Sequence, residues 1–479
     1  MNLRLNWMSG LRVALIAFTL SFLFSNCSED DVVLSPGSTN KPQVSQESAN
    51  TIMAATTTVC STCTYVVPSN TYKVDGQALG LKPGAVICLS SANQYKNIVF
   101  VNINGTAEQP ITITNCGGTV NINATGKSFG LKTEKSKYFR ITGSSAATYG
   151  IKIYGSSLGV TLDYLSTNFE VDHIETYNIG FAGIMAKTDP TCDDATIRGN
   201  FTMRDISLHH NYVHDTGGEG FYVGNSFYNE GVNNATCGVR MPHAIEGAKI
   251  FNNVVKNSGW EGIQVGSATV GAAIYNNTIE NYGTKNVNNQ RNGLQIGEGT
   301  GGLCYNNYIK SGPGNGMVVL GLGDNVIHDN VIVNAGSHGI FCDERYTPGP
   351  GFKFLNNTIV SPSLDGIRIY ADLVPMNVIM NNIIVKPGSY GTYASPRTTA
   401  DAYVYKLSSA VKLTMSNNYF TQDITTVKFS DPTTFNYRLL SGSPAINKGG
   451  SISGYSIATD FYQQSRIKGT TIDIGAAEY

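Results

Sequence analysis

A chain of 479 residues with a net charge of −1, 52 glycines and only 14% charged residues carries no basic face, which excludes nucleic acid as a partner. A length of this size usually means several globular domains, but a sequence that repeats along most of its course escapes the size limit of a single core. No sustained helical stripe occurs beyond the extreme N-terminus, so helix-based architectures are excluded as well.

In chain order, Arg4 and Arg12 precede an apolar run from Val13 to Phe24. The run is too short to span a membrane as a mature helix and reads as a signal peptide. Phe24-Ser25-Asn26-Cys27, followed by Ser28-Glu29-Asp30-Asp31, resembles a bacterial lipobox with the acidic surface-export signal of Bacteroidetes-type lipoproteins. That resemblance implies cleavage before Cys27, lipidation of its thiol, contact with the membrane through the lipid alone, and display on the outer membrane facing outward. A plain secretory leader, with a secreted or periplasmic product, is the alternative. Residues 1–26 are thus assigned to the leader. Residues 27–58, rich in Ser, Thr, Asn and Gln, are a flexible tether with little to bury.

The folded part is expected over 59–432. Eight cysteines follow Cys27, an even number that permits disulfides in an oxidising compartment. Cys60, Cys63, Cys88 and Cys116 are placed to staple an N-terminal cap, where an open solenoid end exposes core and unpaired edge. Zinc at Cys60-x-x-Cys63 is the competing reading, although Cys88 and Cys116 form no second pair. Asn104-Gly105-Thr106 and Gln109-Pro110-Ile111-Thr112-Ile113 resemble the opening coils of extracellular β-helix carbohydrate enzymes, including alginate lyases and chondroitinase B. The resemblance covers about two coils and implies a scaffold.

From His210 onward a unit repeats. An Asn stands nine residues before a Gly in Asn211 to Gly220, Asn253 to Gly262, Asn307 to Gly316, Asn330 to Gly339, Asn357 to Gly366 and Asn382 to Gly391. The copy from Asn277 to Gly293 is interrupted around Lys285 to Arg291. Successive asparagines from Asn253 to Asn382 lie 24, 30, 23, 27 and 25 residues apart, one turn of a solenoid. Within a unit the apolar residues alternate, with Ile263 and Val265 facing inward and Gln264 outward. A strand ends at Val255, a turn holds Asn257 and Gly259, and a second strand starts at Gly262. One coil cannot bury its inner face alone, whereas coils stacked in parallel register share a continuous core. The expected fold is all-β: a right-handed parallel β-helix of roughly 10–12 coils, with N- and C-terminal caps. The Asn column is expected at a bend, bonding to the coils above and below.

Insertions at Lys187–Asn200 and Asn225–Glu246 leave consecutive coils at the same place and should touch. Each contains one cysteine, Cys192 and Cys237, predicted to be bonded to each other. Cys304 and Cys342 fall at inward positions as buried thiols. Residues 433–479 leave the repeat. Tyr437-Arg438-Leu439, Ser443-Pro444-Ala445-Ile446, Asp460 and the ending Ile472 to Tyr479 resemble the closing segment of many secreted bacterial β-helix proteins, which implies a capping role.

Ligands of a parallel β-helix bind along an outward face, where side chains of successive coils form columns about 4.8 Å apart. Two residues after the Gly, the column reads Met185, Tyr222, Gln264, Gln295, Val318, Phe341, Arg368; two further on it reads Lys187, Gly224, Gly266, Gly297, Leu320, Asp343, Tyr370. The three glycines beside Tyr222, Gln264 and Gln295 form the floor of a shallow groove for a sugar chain, or merely turn the strand into a loop. Just before the Gly, Glu219 and Glu261 belong to adjacent coils. Their carboxyls at about 5 Å would suit a retaining glycosidase or a cation such as Ca²⁺; idle acids in a solvated bend are the alternative. A lyase would need a cation at the uronate carboxylate and a base for the C5 proton, for which Lys187, Arg345, Arg368, Tyr222 and Tyr370 are the outward candidates. The Lys and Arg pair of the alginate lyase and chondroitinase B families has no counterpart here. His209-His210-Asn211-Tyr212-Val213-His214-Asp215 looks like a metal cluster, but the repeat places His210 and His214 at ordinary turn and surface positions. Asp343-Glu344-Arg345 is explained by an internal salt bridge.

The resulting expectation is a monomeric surface lipoprotein that binds extracellular polysaccharide and cleaves it as a lyase or glycoside hydrolase. The candidate catalytic residues are Glu219, Glu261, Lys187 and Arg368, and the candidate binding residues Tyr222, Gln264, Gln295, Asp343, Arg345 and Tyr370. A non-catalytic adhesive module is the alternative from another class, and fold alone does not choose between them.

Overall fold

Short strands of β-branched residues recur three times per turn of the chain, and each pairs in parallel with its counterpart one coil away. The computed structural model describes residues 60–145, 148–344 and 349–479; Cys27, the leader and the tether lie outside them, as does Arg345. A first sheet of 13 strands runs from Tyr65–Val67 to Leu413–Ser416, a second of 12 from Lys73–Asp75 to Val404–Lys406, and a third of 11 from Val120–Asn123 to Tyr419–Thr421. The register within a column is continuous, as in Phe221, Ile263 and Leu294, or Tyr222, Gln264 and Gln295. The core is one cluster of Ile, Val, Leu and Phe enclosed by the three sheets.

The Asn column of the repeat is a hydrogen-bonded ladder inside this core. Asn211, Asn253, Asn277, Asn307, Asn330, Asn357, Asn382 and Asn418 each pass their amide to the next, Nδ2 to Oδ1, at 3.0–3.1 Å. Each Oδ1 also accepts the backbone N–H of the Asn one coil back, as Asn307 does from Asn277 at 3.1 Å. The second Nδ2 proton goes to an earlier carbonyl, as from Asn307 to Ile274 at 3.0 Å. Every amide capacity is therefore used, which is what burial of a polar side chain requires. The residue before each ladder Asn turns the chain at positive φ: His210 at 53°, Asn252 at 54°, Asn306 at 54°, Asn356 at 55°. Asn and His tolerate that region, so the recurring pair is one turn residue and one ladder residue.

The Gly column has a different cause. A Cβ on Gly262 would lie 2.4 Å from Ile279 Cγ2 and 2.7 Å from the Gly293 carbonyl oxygen, so the coils stack this closely only with glycine there. The strand before it runs Val254–Ser258 and the next Ile263–Val265, so the first strand extends past Val255. Ser258 is buried and pairs with Thr216, and the bend begins at Gly259.

Disulfides join Cys60 to Cys116 and Cys63 to Cys88, which removes the zinc reading and ties the first coils together. Cys192 is bonded to Cys237, and Cys304 and Cys342 are buried thiols. Three disulfides belong to a chain folded in an oxidising compartment. No helix among the described residues is long and apolar enough to cross a membrane.

The C-terminal segment lies along the flank of the last coils. Val427, Phe429, Tyr437, Leu439, Ala445, Ile474 and Ala476 pack on Val331, Val333, Val360, Ile383 and Val385, the outward side of the third sheet. Strands such as Ile383-Ile384-Val385 are therefore buried on both faces and read as continuous apolar runs. Arg466 anchors the segment, donating to Gly475 O at 2.8 Å and pairing with Glu478 at 3.1 Å.

If the Asn ladder carries the stacking, Asn307→Ala leaves buried donors and acceptors unpaired at about 1–3 kcal/mol each. The expected loss is about 3 kcal/mol in denaturant unfolding, and a change below about 0.5 kcal/mol would show that the ladder is incidental.

Candidate functional site

The outward column of the second sheet runs in register from Met185 through Tyr222, Gln264, Gln295, Val318, Phe341 and Arg368 to Tyr405. The structure divides the candidate residues along it into two groups.

The first group is roofed by the two insertions, which do touch. Thr188 N–H donates to His243 Nε2 at 3.0 Å, Arg240 Nε donates to Thr191 O at 2.9 Å, and Ile197 bridges to Pro242. Burial lowers the His243 pKa to about 4, so the ring is neutral; Nδ1 lies 2.9 Å from Ala244 O and therefore carries the proton. Beneath the roof Gln264 donates to Ser226 Oγ at 2.6 Å, and Tyr222 shares a hydrogen bond with the same oxygen at 3.1 Å. Gln264 is only 3% exposed. The glycine floor is closed too: a Cβ on Gly224 would fall 1.9 Å from Gly266 O, so these glycines serve coil contact and open no groove. Lys187 Nζ sits 2.7 Å from Asp189 and 4.6 Å from the Tyr222 ring centroid. Desolvation alone would lower its pKa, but Tyr222, Asp189 and Glu219 outweigh it and hold the amine charged. Phe181 meets both Tyr222 and Trp260 edge-on.

Glu219 and Glu261 are in neither a solvated bend nor an accessible cleft. They are 2% and 0% exposed, and burial raises their pKa values to about 7 and about 8, with the neighbouring Glu219 adding to the rise at Glu261. Glu261 begins a second internal ladder. Asn292 Nδ2 donates to Glu261 Oε1 at 3.0 Å, Asn315 Nδ2 to Asn292 Oδ1 at 2.9 Å, His338 N–H to Asn315 Oδ1 at 3.2 Å, and Asp365 N–H to His338 Nδ1 at 3.2 Å. The column read as idle or catalytic acids is thus a buried polar chain.

That chain ends at the second group. Arg368 donates through Nη1 to Asp365 at 3.0 Å, and through Nε and Nη2 to Tyr370 Oη at 3.1 and 2.7 Å. Its guanidinium lies 4.2 Å from the Tyr405 ring centroid, and that of Arg397 lies 3.9 Å from the same ring. Guanidinium groups stack on aromatic faces in this way. Phe341 meets Tyr370 edge-on at 5.2 Å. A guanidinium has five N–H groups; among the described residues three are used, leaving one on each terminal nitrogen. Asp343 and Gln295 are half-buried on the same side. Glu344 has its pKa raised to about 7 by burial and by Asp343 and Asp372.

Tyr393, Arg397 and Tyr405 were not legible as site residues. They lie within a 36-residue step from Asn382 to Asn418, where a loop over 386–402 breaks the period. The resumption of the ladder at Asn418 is the signal that would have placed Tyr405 beside Arg368. The histidine run forms no open metal centre. His209 Nε2 bonds Glu170 at 3.0 Å, and Arg140 Nε lies between Glu170 and Asp172 at 3.1 and 2.7 Å, where a cation would sit. His210 stacks on His173, and His214 contacts Glu175 and Asp215.

The family model described as "Right handed beta helix region" matches residues 237–420. The chain is a right-handed parallel β-helix. No curated protein matches its sequence. Solved structures similar to it include pectate lyase Pel9A, at 14% identity and a TM-score of 0.43 over 86% of this chain and 97% of that one. A PL6 family polysaccharide lyase from Pseudopedobacter saltans gives 12% and 0.40 over 85% and 99%. GH136 lacto-N-biosidase from Eubacterium ramulus gives 13% and 0.38 over 74% and 68%.

The buried acids of this β-helix set a pH dependence. Both carboxyls have folded pKa values above the ordinary 4.5, so the folded state holds more protons and its stability falls as pH rises from about 4.5 through 8. His243 acts oppositely below its ordinary 6.5, so the effect is cleanest from about pH 6.5 to 8.5. Thermal midpoints should fall across that interval, and Glu261→Gln should flatten the fall. An identical slope in the variant would place the titration elsewhere.

Proposed function

We propose that this protein is a surface-tethered β-helix lipoprotein, anchored through Cys27, that binds an acidic extracellular polysaccharide along the outward face of the second sheet and cleaves it by β-elimination. The observation that carries the reading is Arg368. It is half-buried, oriented by Asp365 and Tyr370, flanked by Tyr405 and Phe341, and among the described residues keeps one N–H on each terminal nitrogen, the fork that fits a carboxylate. Sugar rings stack on aromatic faces, and elimination requires the uronate carboxylate to be neutralised before the C5 proton is lost. Arg368 would supply that neutralisation, and Tyr370, Tyr393 and Tyr405 are the phenols around it. Glycoside hydrolysis by Glu219 and Glu261 is less well supported, because both carboxyls are sealed from substrate.

Non-catalytic binding is favoured by one observation. Tyr370 Oη already accepts two N–H groups from Arg368, which occupies both lone pairs of a phenol and leaves it unable to take a proton without moving.

Purified protein passed over a panel of acidic and neutral polysaccharides, with unsaturated-product absorbance and reducing ends read in parallel, tests both. Retention on acidic chains with unsaturated ends is the expected result, and Arg368→Ala should weaken retention by about tenfold to a hundredfold. Retention without either product would mean a binding module. Failure to retain any acidic chain would remove the proposal.

A further inference from the structure

Asp365 has no exposed surface, yet four side chains from three parts of the fold converge on it. Ser389 Oγ and Tyr393 Oη donate to Oδ1 at 2.5 and 2.6 Å. Arg368 Nη1 donates to Oδ2 at 3.0 Å, and His338 Nδ1 lies 3.2 Å from the same oxygen. Ser389 and Tyr393 belong to the loop over 386–402, Arg368 to the strand Ile367–Ile369, and His338 to the preceding coil. Desolvation by itself would raise the pKa of this carboxyl, but the groups around it, the Ser389 and Tyr393 hydroxyls that donate to Oδ1 among them, hold it below the ordinary value. A buried carboxylate is tolerated only while its donors are in place. Withdrawing the loop removes two of these donors and withdrawing the guanidinium removes one, so each holds the other.

We propose that Asp365 is a positioning residue that couples the loop over 386–402 to the orientation of Arg368. The loop carries Arg397, whose guanidinium lies 3.9 Å from the centroid of the same Tyr405 ring that Arg368 contacts, so its seating decides whether the two guanidinium groups stand side by side at that ring. An anion that docks on Arg368 tightens the loop, and a seated loop tightens the anion by the same factor. This rests on Arg368 being the anion-binding group; the coupling itself is measurable without ligand.

The test is hydrogen exchange on the full chain, read at the amides of Gly388, Ser389, Tyr390 and Thr392, which donate within and beneath the loop. Arg368 makes no hydrogen bond to that loop among the described residues. Arg368→Ala should nevertheless speed exchange there by about tenfold or more, with strands Ile340–Cys342 and Ile367–Ile369 unchanged. Arg368→Lys should restore most of the protection, since it keeps a donor on Asp365. Asp365→Asn should match the alanine variant; if it does not fold, Tyr393→Phe, which removes one donor, is read in its place. Unchanged loop exchange in Arg368→Ala would overturn the coupling whatever the protein binds. With alginate as probe, Tyr393→Phe should weaken binding by about tenfold. Faster loop exchange with unaltered alginate affinity would reduce Asp365 to a structural role. If wild-type protein ignores alginate and polygalacturonate, the polysaccharide reading fails while the exchange result still decides the coupling.

Discussion

Every feature of this molecule depends on coils lying flat on one another in parallel register, and the asparagine ladder is the interaction that enforces it. A parallel pair offers evenly spaced but slanted backbone bonds, and a three-residue strand such as Ile263–Val265 contributes few of them. The ladder adds bonds at the bend, where backbone would otherwise be unpaired, and repeats at every coil from Asn211 to Asn418. Register is thereby fixed by side chains that tolerate no slip, since a one-residue shift would leave the buried amide donors and acceptors without their partners.

Fixed register creates the outward columns. Because Tyr222, Gln264, Gln295, Val318, Phe341, Arg368 and Tyr405 occupy equivalent positions, chemistry on this face is ordered by coil number. The insertions at 187–200 and 225–246 cover the early part of it, clasped by Cys192 and Cys237, and the later part keeps its aromatic and guanidinium groups half-exposed. A second ladder, from Glu261 through Asn292, Asn315 and His338 to Asp365, runs behind the same strands. It places an ionised carboxylate beneath Arg368 and two carboxyls with raised pKa values at its other end.

The period, the inward alternation and the Cys192–Cys237 bond were legible because each depends on spacing alone. A fixed nine-residue step from Asn to Gly needs no knowledge of neighbours. Burial of Glu219 and Glu261 was not legible, because the residue before a strand glycine is solvated or sealed according to what the adjacent coil and insertion place over it. The same reason hid the closed state of Gln264 and the glycine floor: outward from the core is not outward to solvent when a loop of more than twenty residues folds back. The flank packing of the C-terminal segment had a trace in sequence, the non-alternating Val331-Ile332-Val333 and Ile383-Ile384-Val385, whose outward valines and isoleucine need a cover.

The stacked-amide account is tested most directly by the asparagine side chains themselves. Protein labelled with ¹⁵N at asparagine and transferred to deuterated buffer should keep a set of side-chain NH₂ signals from the buried ladder residues long after those of exposed asparagines such as Asn289 have vanished, and Asn330→Ala should remove one of the persistent pairs. Loss of all side-chain amide signals at the rate of free asparagine would mean that the coils are not held together in this way.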